Sequence, residues 1–327
     1  MTSPTAQVWL RRLRIVYVWL AVLAMAWALL SQDEGRSMVM ALGGHPVTWL
    51  FVLAWFLMPL IFAAAWRMQL ASIHGQLVAW PHVIHVQALA WMGRYLPGKV
   101  GLLAGKMLLL TREKIAWKVI ARSVLIEQML FIATGAMVAI ILVPTDLVAV
   151  VLGGIWEPFS NLWLNHNGLL RASMLLLLAV STPVCIAWLA GASEAQGKRS
   201  RLSSWSLIAA AHVIIHLLLG VALFPLTYSL FPELATTLGI AGLTGILALA
   251  NVIGILVFVV PAGLLVREGV LVAFFAVHIS LADAIAFAAA LRFLTMAADL
   301  AFVAIGWTAG RGSMRDPADP YRDRSAQ

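Results

Sequence analysis

Two Pro/Gly-broken stretches carry most of the chemistry-capable residues in an otherwise very apolar chain. They read Gly93-Arg94-Tyr95-Leu96-Pro97-Gly98-Lys99 and Val260-Pro261-Ala262-Gly263-Leu264-Leu265-Val266-Arg267-Glu268-Gly269. Arg94, Lys99 and Arg267 thus stand beside backbone that cannot continue as regular helix, because proline lacks a donor and glycine permits reversal. A third group, Arg292, Thr295 and Asp299, falls at spacings of three and four and so shares one stripe of a helix. Glu127 is a lone carboxylate eight residues into the apolar run Val119 to Val143. Arginine donates two parallel hydrogen bonds from a planar fork, a geometry suited to phosphate. Arg94, Lys99, Arg267 and Arg292 therefore read as a phosphate-complementary cationic set, with Glu127 and Asp299 balancing charge. Glu127 or Glu268 would instead supply an acid or base if the chain catalysed a transfer.

The elements that position these residues are membrane helices. Hydrophobic residues make up 62% of the sequence and charged residues 11%. A water-soluble domain of this length could not cover itself with so little polar surface. The net charge of +8 does not point to nucleic acid, since membrane proteins concentrate Lys and Arg on cytoplasmic segments. The single cysteine, Cys185, lies in an apolar run, forbids an internal disulfide and reads as a small buried hydrophobe.

A crossing helix needs about 20 apolar residues. Seven runs meet or approach this: Ile15 to Ser31, Val47 to Trp66, Val119 to Val143, Leu169 to Ala190, Trp205 to Leu230, Leu238 to Val260 and Ala284 to Thr308. A shorter, polar-headed run between Leu264 and Ala282 is counted as an eighth. The first run has the basic flank of a signal peptide (Arg11, Arg12, Arg14) but no small-x-small cleavage pattern, so it reads as a retained helix. With the N-terminus inside, 18 of the 22 Lys and Arg fall on cytoplasmic segments, Arg267 among them. That asymmetry puts both termini in the cytoplasm and asks for an even number of crossings. The expected fold is all-α: a polytopic membrane protein of about eight helices with two interrupted segments. Residues 1–310 form one membrane domain, and 311–327 a disordered cytoplasmic tail too polar to build a core.

Neither half of the first interrupted segment, Val83 to Leu96 or Val100 to Thr111, is long enough to span. The pair reads as half-helices that enter and return on one side, with the Pro-Gly corner facing an internal cavity. The alternative is an amphipathic pair lying in the interface. In the second segment Glu268 suits a helix N-terminus, and Arg267 is free to meet a phosphate or carboxylate. Alternatively, Pro261-Ala262-Gly263 merely turns a cytoplasmic loop. Within the third span Arg122 lies about 140° round from Glu127 and shares a face with Lys118, so it reads as snorkelling. Glu127 is expected to pair with a basic residue of an interrupted segment, Arg94 or Arg267.

Other signals are weaker. His212 and His216 are four apart and His82 and His85 three apart, but neither pair has a third ligand. No metal and no cofactor are expected. Trp49, Trp66, Trp80, Trp156, Trp163 and Trp205 stand near span ends, as in an aromatic belt. The sequence has no P-loop, dinucleotide fingerprint or nucleophile elbow.

The two interrupted motifs, with Ser123 and Glu127 on the third span and Arg292-Phe293-Leu294-Thr295 on the last, resemble the transmembrane region of the lysylphosphatidylglycerol synthase family, also called the flippase-like integral membrane family. The likeness covers nearly the whole chain. The first motif is close to the family's. The second departs where the family has Pro-Gly-Gly-Leu-Gly, since Ala262 and Leu265 replace two glycines. Pro261, Gly263, Arg267, Glu268 and Gly269 remain, as do Pro97, Gly98 and Gly101 in the first.

What the resemblance implies is a lipid-flipping module of the bacterial inner membrane. Its substrate would be a phospholipid or a polyprenyl-linked sugar, bound by Arg94, Tyr95, Lys99, Glu127, Arg267, Glu268, Arg292 and Asp299. The synthases add a soluble aminoacyl-transfer domain, and no stretch of this sequence resembles one, so a lysyl transferase is not expected. Anionic headgroups, a second copy of the chain or envelope-biosynthesis enzymes are the candidate partners. A membrane-embedded transferase and a non-catalytic envelope scaffold are the competing readings.

Overall fold

The computed structural model describes residues 20, 22–27, 29–31, 33–75, 77–95, 100–110, 115–154, 157–190, 198–257 and 260–313. Every regular element among them is helical: α1 (Asp33–Gly44), α2 (Pro46–His74), α3 (Trp80–Met92), α4 (Val100–Leu110), α5 (Trp117–Leu142), α6 (Thr145–Gly153), α7 (Glu157–Ala190), α8 (Lys198–Leu230), α9 (Pro232–Leu256), α10 (Val266–Phe275) and α11 (Leu281–Ser313). Short 3-10 turns at Gly93–Tyr95 and Pro261–Gly263 follow α3 and α9. The expected all-α polytopic architecture is what the chain adopts. Among the described residues six helices, in α2, α5, α7, α8, α9 and α11, are long and apolar enough to cross a membrane.

The remaining two expected crossings differ. Of the first run, Ile15 to Ser31, residues 20, 22–27 and 29–31 are described and are helical up to Leu30; the others lie outside the described residues. The eighth resolves as α10, whose ten residues reach about 15 Å, half the hydrocarbon thickness. Helix α11 continues to Ser313, three residues into the stretch expected as a tail; residues 314–327 lie outside the described set.

Helix α11 serves as a ruler for the two interrupted segments. At its N-terminal end Phe287 packs against both Phe231, at the start of α9, and Phe275, at the end of α10 (ring centroids 5.5 and 5.7 Å). The chain therefore goes in along α9, turns at Pro261–Gly263 and comes back along α10. At the other end of α11, the Gly306 carbonyl lies 3.0 Å from His85 Nδ1 near the start of α3. Helix α3 runs from there toward Asp299, which Trp91 reaches, and α4 returns beside it, with Gly93 against Gly101 and Ala90 against Gly105. The two hairpins thus penetrate from opposite ends of the bundle, and their 3-10 turns touch at its centre.

This corrects the placement of Arg267 among the charges at one membrane face. It sits 4% exposed at the buried corner of a hairpin that approaches from the end opposite to α3 and α4. Counting Lys and Arg by loop assumed a crossing where the chain doubles back.

Glycines set the closeness of both corners. A Cβ on Gly93 would lie 2.2 Å from the Gly101 carbonyl carbon, and one on Gly263 would lie 2.8 Å from Gly254. At the second corner Ala262 (φ 49°) and Leu265 (φ 67°) hold left-handed backbone, a region that costs residues with a Cβ about 1–2 kcal/mol. Both residues therefore hold backbone that glycine would favour. Helix α7, by contrast, buries none of its most apolar 18-residue stretch. Cys185 on it is half-buried, not enclosed as the apolar run suggested.

Candidate functional site

The stripe on α11 faces inward, as its spacing implied: Arg292 and Asp299 are 1% exposed and Thr295 is fully buried. Each end of the stripe holds one hairpin corner. Asp299 forms an ion pair with Arg94 and accepts from the Tyr95 hydroxyl. Its other oxygen accepts the indole N–H groups of Trp55 (3.1 Å) and Trp91 (2.9 Å). Four donors around one carboxylate anchor the first corner to α11. At the second corner Arg292 Nη1 lies 3.7 Å from Glu268 Oε1 and 3.5 Å from the Ala262 carbonyl. Glu268 Oε2 accepts the Leu265 N–H at 2.8 Å, so this carboxylate caps α10 while facing α11.

Arg267 enters the same space, with its guanidinium 4.6 Å from the Trp55 ring centre. The Arg94 guanidinium lies 4.5 Å from the Trp91 ring and that of Arg292 5.6 Å from the Tyr95 ring. Aromatic faces attract cations while hiding them from water. Between the corners is a cavity of about 110 Å³, reached by Arg94, Arg267, Arg292, Gln128 and Asn251 and floored by Met58, Phe62 and Phe131. Nε and Nη2 of Arg267, Nε and Nη2 of Arg292 and Nε of Arg94 have no hydrogen-bond partner among the described residues. Buried donors left unpaired cost about 1–3 kcal/mol each. Among the described residues, three guanidiniums against the carboxylates of Asp299 and Glu268 leave one positive charge unbalanced.

Six of the residues expected to form the site, Arg94, Tyr95, Arg267, Glu268, Arg292 and Asp299, are brought together here. Lys99, Pro97 and Gly98 lie outside the described residues. Glu127 does not join the cluster. It pairs neither with Arg94 nor with Arg267 but with Lys106 of α4, at 2.6 Å, both fully enclosed. Lys106 Nζ also sits 4.0 Å from the Trp66 ring, and Trp66 Nε1 donates to Ser123 Oγ at 3.0 Å. Glu127 points to α2 and α4, while its neighbour Gln128 points into the cavity. Gly269 has open space at its Cβ position and shapes no contact.

Trp66 and Trp163 are buried, unlike the belt residues Trp49 and Trp80. Trp55 and Trp91 are the functional residues that sequence reasoning missed; both stand in mid-run rather than at span ends, where an indole needs an internal acceptor. Arg122 is exposed. His212 and His216 bond to the carbonyls of Ile208 and Phe131, and no group of three metal-ligating side chains occurs among the described residues.

No protein-family model matches the chain, and no curated protein is similar to it.

Proposed function

We propose that this protein translocates a phosphate-bearing lipid, a phospholipid or a polyprenyl-linked sugar, across the bacterial inner membrane. The observation that carries the proposal is the cavity itself: the buried guanidiniums of Arg267 and Arg292 and the half-buried one of Arg94, all with unspent N–H groups, where two hairpins meet from opposite ends. Interrupted helices at mid-membrane depth are how many transporters build a site reachable from either side. Here Arg94 and Tyr95 belong to one hairpin, Arg267 and Glu268 to the other, and Arg292 and Asp299 to the helix between them. Withdrawal of either corner would open the same cavity to its own side. The net positive charge among the described residues favours an anionic, phosphate-bearing lipid.

The resemblance of the interrupted motifs to the flippase-like family is part of this proposal, as is an orientation with both termini in the cytoplasm. A transferase finds less support. Asp299 is engaged by four donors, Glu268 caps α10, and Glu127 is paired with Lys106 outside the cavity. Glu268 alone keeps an oxygen, Oε1, without a hydrogen-bond partner among the described residues, and the Arg292 guanidinium lies 3.7 Å from it. The reading is tested by reconstituting the protein in vesicles with fluorescent phosphatidylglycerol and following loss of outer-leaflet signal. Wild type accelerates exchange between leaflets, and Arg94→Ala and Arg292→Ala abolish the acceleration. Unchanged rates in both variants would overturn the site.

A further inference from the structure

The arginine cavity has a second wall, polar but uncharged. Gln128 of α5 and Asn251 of α9 line it, beside Phe131, Gly254 and Ile255 of the same two helices. Neither helix adds a charge to the lining, because Glu127, next to Gln128, is turned away and paired with Lys106. Asn251 stands three residues before Gly254 and so about one helical turn along the same face. A Cβ on Gly254 would lie 3.3 Å from that of Arg267, which puts Asn251 about a turn away from the second hairpin corner.

Amides on membrane-spanning helices commonly hydrogen-bond to a neighbouring helix. Asn251 and Gln128 make no hydrogen bond among the described residues. They also differ from Gln69 and Gln87, which are fully buried with both polar atoms of each sealed from any ligand. Asn251 is 9% exposed and Gln128 half-buried. No polar atom of either is sealed, and the surface they keep borders the cavity. Each therefore offers an open carbonyl acceptor and an open N–H donor. No carboxylate joins the lining among the described residues. Asp299 spends both oxygens on the first corner, and Glu268 Oε1 is sealed beside Arg292. An ammonium group here would meet guanidiniums of its own sign and no open anion. A hydroxyl donates and accepts without adding charge, and so matches both amides.

We infer that Gln128 and Asn251 select the headgroup: the lipid taken by this cavity carries neutral hydroxyls beside its phosphate, a glycerol's or a sugar's, in place of an ammonium. The inference rests on the reading that the arginines bind the phosphate. The hairpin corners and α11 then hold the phosphate, and the wall of α5 and α9 holds the hydroxyls. The cavity's volume of about 110 Å³ far exceeds the roughly 10–15 Å³ that one water needs, so it admits a group of several heavy atoms.

The test uses ligands that differ only beyond the phosphate. The full chain in micelles is titrated with phosphatidylglycerol, phosphatidylmethanol and phosphatidylethanolamine of identical acyl chains, and bound lipid is counted by native mass spectrometry. Phosphatidylmethanol keeps the phosphodiester charge and lacks the hydroxyls. A polyprenyl phosphosugar set against the methyl ester of the same polyprenyl phosphate forms a second pair. Wild type should bind the hydroxylated member of one pair at least tenfold more tightly than its methyl counterpart, and the pair that shows the preference names the source, glycerol or sugar. Phosphatidylethanolamine should bind no better than phosphatidylmethanol. In the double replacement Asn251→Leu with Gln128→Leu the preference should fall below twofold. Arg267→Gln should instead weaken both members together and keep their ratio. Equal binding of both members in each pair by wild type, which needs no variant to fold, would overturn the inference, as would a preference that survives the double replacement. Undiminished binding of both members by Arg267→Gln would overturn the phosphate reading, and the inference with it.

Discussion

Removing the Asp299 carboxylate should be the most damaging single change in the centre of this protein. Asp299→Ala takes the acceptor from the Arg94 guanidinium, the Tyr95 hydroxyl and the indoles of Trp55 and Trp91. Breaking a buried ion pair by deleting one partner costs about 3–5 kcal/mol, and each further buried donor left unpaired costs about 1–3 kcal/mol. Because Arg94 retains some exposure, 19% of its side chain, the lower end of the ion-pair range applies to it. Relaxation of the two indoles toward the cavity would recover part of the rest. A loss of about 4–6 kcal/mol is the expected sum. Asp299→Asn keeps the shape but offers one carbonyl and one amide donor, so one pair of donors keeps its acceptor and the other faces an N–H. Its loss should be about half as large. Reversible unfolding in mixed micelles, followed by tryptophan fluorescence, measures both. Trp55 and Trp91 report the same site, so their emission should shift red in each variant. A loss under about 1 kcal/mol for Asp299→Ala, with unaltered emission, would refute the four-donor arrangement.

Other expectations follow from the same geometry. Glu127→Gln and Lys106→Met should each destabilise the protein by about 3–5 kcal/mol, whereas the double replacement Lys106→Met with Glu127→Leu should recover most of that, because no charge is left buried alone; a thermodynamic cycle in micelles checks it. Gly93→Ala forces a Cβ into the Gly101 backbone and should cost about 1–3 kcal/mol or more, while Gly269→Ala, at an open position, should fall within about 0.5 kcal/mol of wild type. Leu265→Gly should be neutral to stabilising by about 1 kcal/mol, since relief of the left-handed strain exceeds the added backbone entropy of the unfolded chain; its unfolding midpoint in denaturant is the readout.

The helices and the buried stripe were legible because they are local. Apolar run length shows which segments can cross, and spacings of three and four put Arg292, Thr295 and Asp299 on one face without any tertiary knowledge. Pro261-Ala262-Gly263 likewise showed that the chain must turn, while Pro97-Gly98, read the same way, lies outside the described residues. They did not show from which end each turn is approached, because a broken apolar run has the same composition in a hairpin as in a crossing. Only Phe231 and Phe275 meeting on Phe287 distinguishes the two. Lys106 was illegible as the partner of Glu127 for a related reason: its place in the apolar run from Val100 to Leu110 showed that it must be sheltered, but not by which carboxylate. Trp55 and Trp91 were hidden by the habit of reading tryptophan in a membrane protein as an interfacial residue. Ala262 and Leu265 show the converse: neither residue type announces left-handed backbone, yet both adopt it beside the packing of Gly263 on Gly254, at the cost of strain.

The central claim is that the arginine cavity recognises a lipid through its phosphate. It is tested most directly by placing two fluorescent lipids in the same vesicles, phosphatidylglycerol and a diacylglycerol with a sugar but no phosphate, and measuring exchange between leaflets with wild type and with Arg267→Gln. Wild type should accelerate movement of the phosphate-bearing lipid alone, and Arg267→Gln, with its fold intact, should lose that acceleration at least tenfold. Equal movement of both lipids, or full activity in Arg267→Gln, would contradict it.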